Sequence, residues 1–517
     1  LMDAADNVQD AHLRKKEGEK EEKKKCPYLD TIDRSKLDFD FEKVCSISLS
    51  NQNVYACLVC GKFFQGRGKL THAYTHSTLF EHHIFVNLKT CLFYCLPENY
   101  QVFDSSLDDI AKCLNPKYSQ AYIQGLDESM ALARDVHGVS YLPGFCGLNN
   151  ICGKSDYINV VVYALAHVIP LRNYFLVPEN YQASSSSLLA KFGQLIRRIW
   201  SCHNFKSVIS PHEFVQEISV ASNRSFHIHS RAHAVDFLLW LLHSLHKALA
   251  EARLYVRCNI ISNSVPQTKK PKFLPTTIIH AIFQGKLRIE TMSRRTNLTS
   301  ASIDTNKKDC EEAWEQTSVK EIPFLCLALD IPPMPLFKDS RGGNIIPQIP
   351  LFDLLTKYNG VKFFDSVKAG IQTRCRFTIT KLPPYLIFHL KRFSKNNFTA
   401  EKNPTIVNFP VKNLQLNDHF AFESPFPSLI DTKFNLVSNV CHDLPAGLGK
   451  EAQQDPLQYG TYRVHLRHPA SDQWYEIQDL HVAETIPQLI SLSESLFSIY
   501  ASSSSSSSTS GEPEKKN

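Results

Sequence analysis

The chain has 517 residues, 43% hydrophobic and 21% charged, with a formal net charge of +6. Such a length exceeds one ordinary core, so two or three globular domains are expected. No run of 18 or more apolar residues is present, so no membrane span is expected, and the modest positive charge permits an acidic partner or RNA without arguing for one.

In chain order, residues 1–25 include "AHLRKKEGEKEEKKK", which has almost no apolar content and reads as a disordered charged arm. No apolar signal core opens the chain. With 15 cysteines, an odd number, a reducing compartment with free thiols and metal ligands is expected. Residues 26–121 are dense in Cys, His and aromatics. Within "YACLVCGKFFQGRGKLTHAYTHSTLFEHH", Cys57 and Cys60 form C-x2-C, and His76 and His82 follow. Two thiolates on a tight turn and two imidazoles suit tetrahedral Zn2+. A closed site of four ligands is structural and holds a small domain with little core of its own. Cys26, Cys45, His72, His83 and Cys95 are spare candidates.

Residues 122–140 read as a short helical linker. From 141 to 500 helices and strands mix. Helical patterns cover 156–168 and "AVDFLLWLLHSLHKALAEA" from Ala234, apolar on most faces. Strand patterns are "FLCLALDI", "YLIFHLKRF", "FNLVSNVCH" and "TYRVHLRH", the last forming a hairpin with "SDQWYEIQDLHV". Surface loops are expected at "QASSSS", "SNSVPQTKKPKFLP" and "VCHDLPAGLGKEAQQDPLQYG". Residues 501–517 read as a disordered, Ser-rich tail.

The Cys/His segment resembles a UBP-type zinc finger, with His72, His76 and His82 in the pattern H-x3-H and a further His. Where many relatives carry a cysteine for another zinc, this chain has Gln65 before Gly66 and Arg67, so the resemblance implies one structural Zn2+. It also implies a ubiquitin-tail contact at Arg67, although Gly68 departs from the aromatic found in some relatives. Residues 141–500 resemble the ubiquitin-specific protease domain through "YLPGFCGLNNI", "DYINVVVYALAHVIPLRNYF", "AVDFLLWLLHSL", "IFQGKLRIE", "LPPYLIFHLKRF" and "YGTYRVHLRHPASDQWYEIQDLHV". The implied fold class is α+β: a small UBP-type zinc finger followed by a papain-like domain of thumb, fingers and palm.

An active member needs a cysteine opening a buried helix, a downstream histidine as base, and a polar group orienting it. By resemblance those positions are Asp156, Thr461 and Asp479, so the catalytic Cys and His are expected to be lacking. Asp156 is expected to cap its helix. Cys152, His465 and His468 are the nearest displaced substitutes. The fingertip metal pairs are also expected to be missing: one falls at "TMSRRTN" and the other keeps Cys375 alone. The wording of the chain is similar to the tri-snRNP-associated, ubiquitin-protease-like splicing factors. That resemblance implies a nuclear, non-catalytic scaffold of pre-mRNA splicing, in contact with spliceosomal tri-snRNP proteins and at most weakly with ubiquitin. Direct RNA contact stays open. The alternatives are a deubiquitinase with displaced catalytic residues and a ubiquitin-tail reader.

Overall fold

The computed structural model describes residues 26–261, 276–294, 314–333, 346–368, 371–395, 400–417, 420, 432–444 and 455–503. The charged arm, the loop at 262–275 and residues 504–517 lie outside the described residues. The chain forms two compact units: residues 1–119, 130–149 and 191–217 in the first, and 120–129, 150–190 and 218–517 in the second.

In the first unit, β1 (Val54–Cys57), β2 (Phe63–Gln65), β3 (Ile84–Asn87), β4 (Phe93–Cys95) and β5 (Tyr100–Val102) form an antiparallel sheet in the order β2-β1-β3-β4-β5. Helix α1 (His72–Phe80) lies between β2 and β3. Side chains of β1 and β3 are buried along their whole length, which marks central strands covered on both faces. The unit also takes residues from the part of the sequence read as protease-like. Gly147–Leu148 pairs in parallel with Val208–Ile209, and Arg198, 12% exposed, pairs with Asp40, 6% exposed. Ser210 N–H donates to the other Asp40 oxygen at 2.9 Å. Burial raises the Asp40 pKa, and Arg198 opposes that rise.

The second unit holds helix α2 (Asp156–Ala166), with all eleven residues buried, and helix α3 (Ala234–Ile261). Among its described side chains, α3 exposes Asp236, Leu239, His243, Lys247 and Glu251, a narrow stripe at helical spacing, and buries most of the others. A four-stranded antiparallel sheet comprises β6 (Gly285–Arg294), β7 (Trp314–Phe324), β9 (Asn359–Lys368) and β10 (Ile371–Lys381), ordered β7-β6-β10-β9. An eight-stranded sheet contains, in order, β8 (Leu327–Asp330), β11 (Tyr385–Lys391), β16 (Ser495–Ser502), β12 (Lys433–Asp443), β13 (Thr461–Arg467), β14 (Trp474–Gln478) and β15 (His481–Thr485). The eighth strand, Leu414–Gln415, pairs with β12.

The expected strands and the β13–β14 hairpin are present, and the α+β class holds. Two local expectations need correction. The 122–140 linker is helical only at Gln120–Gly125; its other end is a small hairpin of Ala133–Arg134 with Ser140–Tyr141, pinned by Asp135, which accepts from the N–H groups of His137 and Val139. The tail does not begin at 501, because Ala501 and Ser502 are part of β16, paired with Tyr385 and Phe434.

Candidate functional site: a metal-ligand cluster and a substituted cleft

Cys57 ends β1, Cys60 follows on the turn to β2, His76 lies on α1, and His82 lies just beyond the left-handed Glu81 that ends the helix. Their ligand atoms all lie within 4.8 Å of one another. Cys57 Sγ is 3.5 Å from His82 Nδ1, Cys60 Sγ is 3.5 Å from His76 Nε2, and the two nitrogens are 3.0 Å apart. A tetrahedral Zn2+ with Zn–S of about 2.3 Å and Zn–N of about 2.0–2.1 Å requires ligand–ligand edges of roughly 3.3–3.8 Å. The two sulfur–nitrogen distances fall in that range and the nitrogen–nitrogen distance lies just below it, so the four donors gather around a space that suits a cation of that kind. Phe64 stacks on the His76 ring at 4.2 Å and fixes its direction. The spare candidates go elsewhere. His83 Nδ1 meets the Leu96 carbonyl at 2.8 Å, and Cys45 Sγ meets His72 Nδ1 at 3.3 Å. Cys26 and Cys95 are buried in the apolar core of the unit.

Arg67 is engaged locally: its guanidinium lies 4.3 Å over the Tyr94 ring, and Nη1 donates to Asn99 Oδ1 at 2.8 Å.

In the second unit, Asp156, Thr461 and Asp479 surround the start of α2. Asp156 is 1% exposed. Its expected role as helix cap is not what the fold uses: Ser155 occupies the cap position and Asp156 is the first helical residue. Its Oδ2 instead accepts from the Tyr462 N–H of β13 at 3.2 Å, and its Oδ1 forms a 3.6 Å ion pair with Arg231 Nε. Ser155 Oγ is occupied by the Ile151 N–H at 2.7 Å, which explains why it does not cap. Burial is the largest influence on Asp156 and raises its pKa to about 6, against the lowering effects of Arg231 and the Tyr462 N–H. Thr461 opens β13, half-buried. Asp479 sits in the tight β14–β15 turn with a positive φ of 52°, which Asp tolerates better than most residues. It accepts from Asn150 at 2.9 Å and Asn159 at 3.4 Å, so its carboxylate orients amides rather than an imidazole.

Cys152, the expected displaced thiol, and Cys146, which sequence reasoning did not single out, are placed just as specifically. Cys152 is exposed on a short 3-10 turn with φ 55°. Cys146 is buried, directs its thiol at the carbonyls of Leu142 and Ile199, and is pushed up to about 12 by burial. One thiol and one imidazole do meet in the large sheet: Cys441 Sγ is 3.7 Å from His465 Nδ1, and His465 Nε2 is 3.0 Å from Glu476. Cys441 is 0% and His465 2% exposed, and Ser493 and Asn439 close the group. Alternation along β13 puts His465 on the same face as Thr461, four residues and about 13 Å further along the strand. This cluster is packed core without access to a substrate. His468 is engaged with Ser471. Cys375 faces Thr291 across β6 and β10, and the expected fingertip beyond 294 lies outside the described residues.

The ubiquitin carboxyl-terminal hydrolase family model matches residues 146–506, and the model of the zinc finger in ubiquitin hydrolases and other proteins matches 45–107. The chain belongs to the ubiquitin carboxyl-terminal hydrolase family. Within this hydrolase family it is similar to mouse ubiquitin carboxyl-terminal hydrolase 39, with 45% identity over 92% of this chain and 79% of the relative. It is 42% identical to the probable mRNA-splicing protein ubp10 of Schizosaccharomyces pombe, over 92% of this chain and 88% of that protein. The crystal structure of an essential yeast splicing factor matches with a TM-score of 0.69 and 27% identity, covering 92% of this chain and 99% of the other. The relatives of this chain include splicing factors, which supports a role in splicing.

Sequence reasoning named the four residues that the fold gathers into the cluster, and it named His465, but it missed Arg231 and the partners Cys441 and Glu476 that His465 meets. Arg231 stands alone in a polar loop with no motif around it. The buried group depends on strand register, which no single segment reveals.

Proposed function

We propose that this chain is a non-catalytic pseudo-deubiquitinase that acts as a protein–protein scaffold in pre-mRNA splicing. In this reading it works in the nucleus and supports the spliceosomal tri-snRNP through contacts with its proteins. The zinc finger spans 26–121, with one structural Zn2+ on Cys57, Cys60, His76 and His82, and the protease-like domain spans 141–500. The observation that carries the reading is the occupant of the nucleophile position. Asp156 is a buried carboxylate already engaged by a backbone N–H and a guanidinium, and Thr461, at the base position, cannot take a proton near neutral pH. Loss of one member of a catalytic triad costs several orders of magnitude in rate, and here two positions are replaced. The local partners of Arg67 favour a role in holding the finger together over one as a ubiquitin-tail reader.

Two measurements on the full chain test the reading. A ubiquitin-based covalent probe should label no cysteine, and affinity capture from nuclear extract should recover the small nuclear RNAs and proteins of the tri-snRNP. Labelling of Cys152 or another specific thiol would overturn the non-catalytic reading. Capture without those RNAs would overturn the splicing role.

A further inference from the structure

The two elements at the expected nucleophile and base positions are joined by one side chain. Arg231 lies on the loop just before α3, and its side chain is 13% exposed. Its Nη2 donates to the Gly153 carbonyl at 3.0 Å, on the turn leading into α2. Its Nη1 donates to the carbonyls of Gln458, at 2.8 Å, and Gly460, the residue before Thr461. Its Nε faces Asp156 at 3.6 Å. The same loop is anchored a second time, since Lys154 Nζ donates to the His229 carbonyl at 2.8 Å and Tyr462 Oη to the Ala232 carbonyl at 3.4 Å.

We propose that Arg231 is a strap that ties the Gly153–Asp156 wall of the cleft to the Gln458–Tyr462 wall and closes the space between them to an extended peptide. A guanidinium presents five donors in a fixed planar fork, so a single residue can satisfy carbonyls on both walls at once, which a lysine ammonium does less well. While Arg231 holds these three carbonyls they are taken up within the fold and are not offered to another chain, and the Asp156 carboxylate it faces offsets part of the cost of placing a cation there. The cleft is thereby converted from a binding groove into a clamp. This inference goes beyond the splicing reading and does not depend on it.

Hydrogen–deuterium exchange on the full chain tests the strap without ubiquitin or spliceosomal partners. In Arg231→Ala, peptides covering 151–158 and 456–462 should both exchange faster, by roughly ten- to a hundredfold, as expected for loss of charge-assisted hydrogen bonds that hold two segments. Peptides from β11 and β16 should keep their wild-type rates. Arg231→Lys, which keeps the charge and loses the fork, should show a smaller acceleration in the same two segments, and it replaces the alanine variant as the deciding measurement if that variant does not fold. Acceleration of one wall alone, or of neither, would overturn the proposal.

Discussion

The metal-ligand cluster and the substituted cleft both gather polar side chains away from water, but they differ in what completes them. Cys57, Cys60, His76 and His82 bring soft donor atoms to within 4.8 Å, an arrangement with little stability of its own that a cation completes. The cleft completes itself, with a carboxylate against a guanidinium and backbone N–H and C=O groups. A metal site loses its function when one donor changes. A cleft retained for packing tolerates any replacement that balances its charge.

The largest expected effect therefore lies in the cluster. Cys57→Ser should abolish metal retention, since a structural Zn2+ contributes on the order of 10 kcal/mol to the fold of a small domain. Metal analysis should find one zinc per wild-type chain and none in the variant, and exchange protection of β1 and β3 should be lost. Persistence of a folded five-stranded sheet without metal would remove the contrast between the two regions.

A smaller effect is expected from the buried Cys441–His465–Glu476 group, which resembles the cluster in residue types and the cleft in being self-satisfied. Burial alone would lower the His465 pKa, yet the Cys441 sulfur and then Glu476 outweigh it and raise the group to about 9. Glu476 is lowered in turn, chiefly by the hydrogen bond from His465. Because the folded pKa lies above the unfolded one, this contribution is fully present below about pH 6.5 and lost as pH rises through about 9. His465→Ala should destabilise the second unit by about 2–4 kcal/mol at pH 6, through the uncompensated Glu476 carboxylate and the cavity, and by less at pH 9.5. Denaturant unfolding at the two pH values measures the difference. An equal cost at both would show that the imidazole is not charged in the fold.

Much of this was legible in the sequence because both regions rest on local patterns. The C-x2-C turn, His76 on α1 with His82 six residues further on, and the apolar run from Asp156 each lie within one segment. The rest depends on register and on distant loops. Asp156 was placed at the correct helix start but given the wrong partners, since its Tyr462 N–H and Arg231 lie 306 and 75 residues away in sequence. Residues 130–149 and 191–217 joined the first unit for the same reason: the ion pair of Asp40 with Arg198 and the strand pairing at 147–148 have no short-range signature.

The smallest effect concerns Asp156, where the sign separates two accounts of the cleft. If the carboxylate were retained for stability, removing its charge would cost stability at neutral pH. The raised pKa argues the opposite. Folding shifts the group from 3.8 to about 6, so the native state binds a proton more tightly than the unfolded chain does. Stability then falls as pH rises from about 4 to above 6, by on the order of 3 kcal/mol for a group so deeply buried. In Asp156→Asn the amide would keep an oxygen for the Tyr462 N–H, and Arg231 would keep its carbonyl acceptors at Gly153, Gln458 and Gly460. That variant should therefore unfold at an equal or higher temperature than wild type at pH 7.5, by about 1 kcal/mol in stability, and lose that advantage at pH 4, where the wild-type carboxyl is already protonated. Thermal melts at both pH values decide the sign. A loss of stability at pH 7.5 would mean that the attraction of Arg231 exceeds the cost of burying the charge, and the cleft would then be held together by its ion pair rather than by the backbone contacts of the arginine.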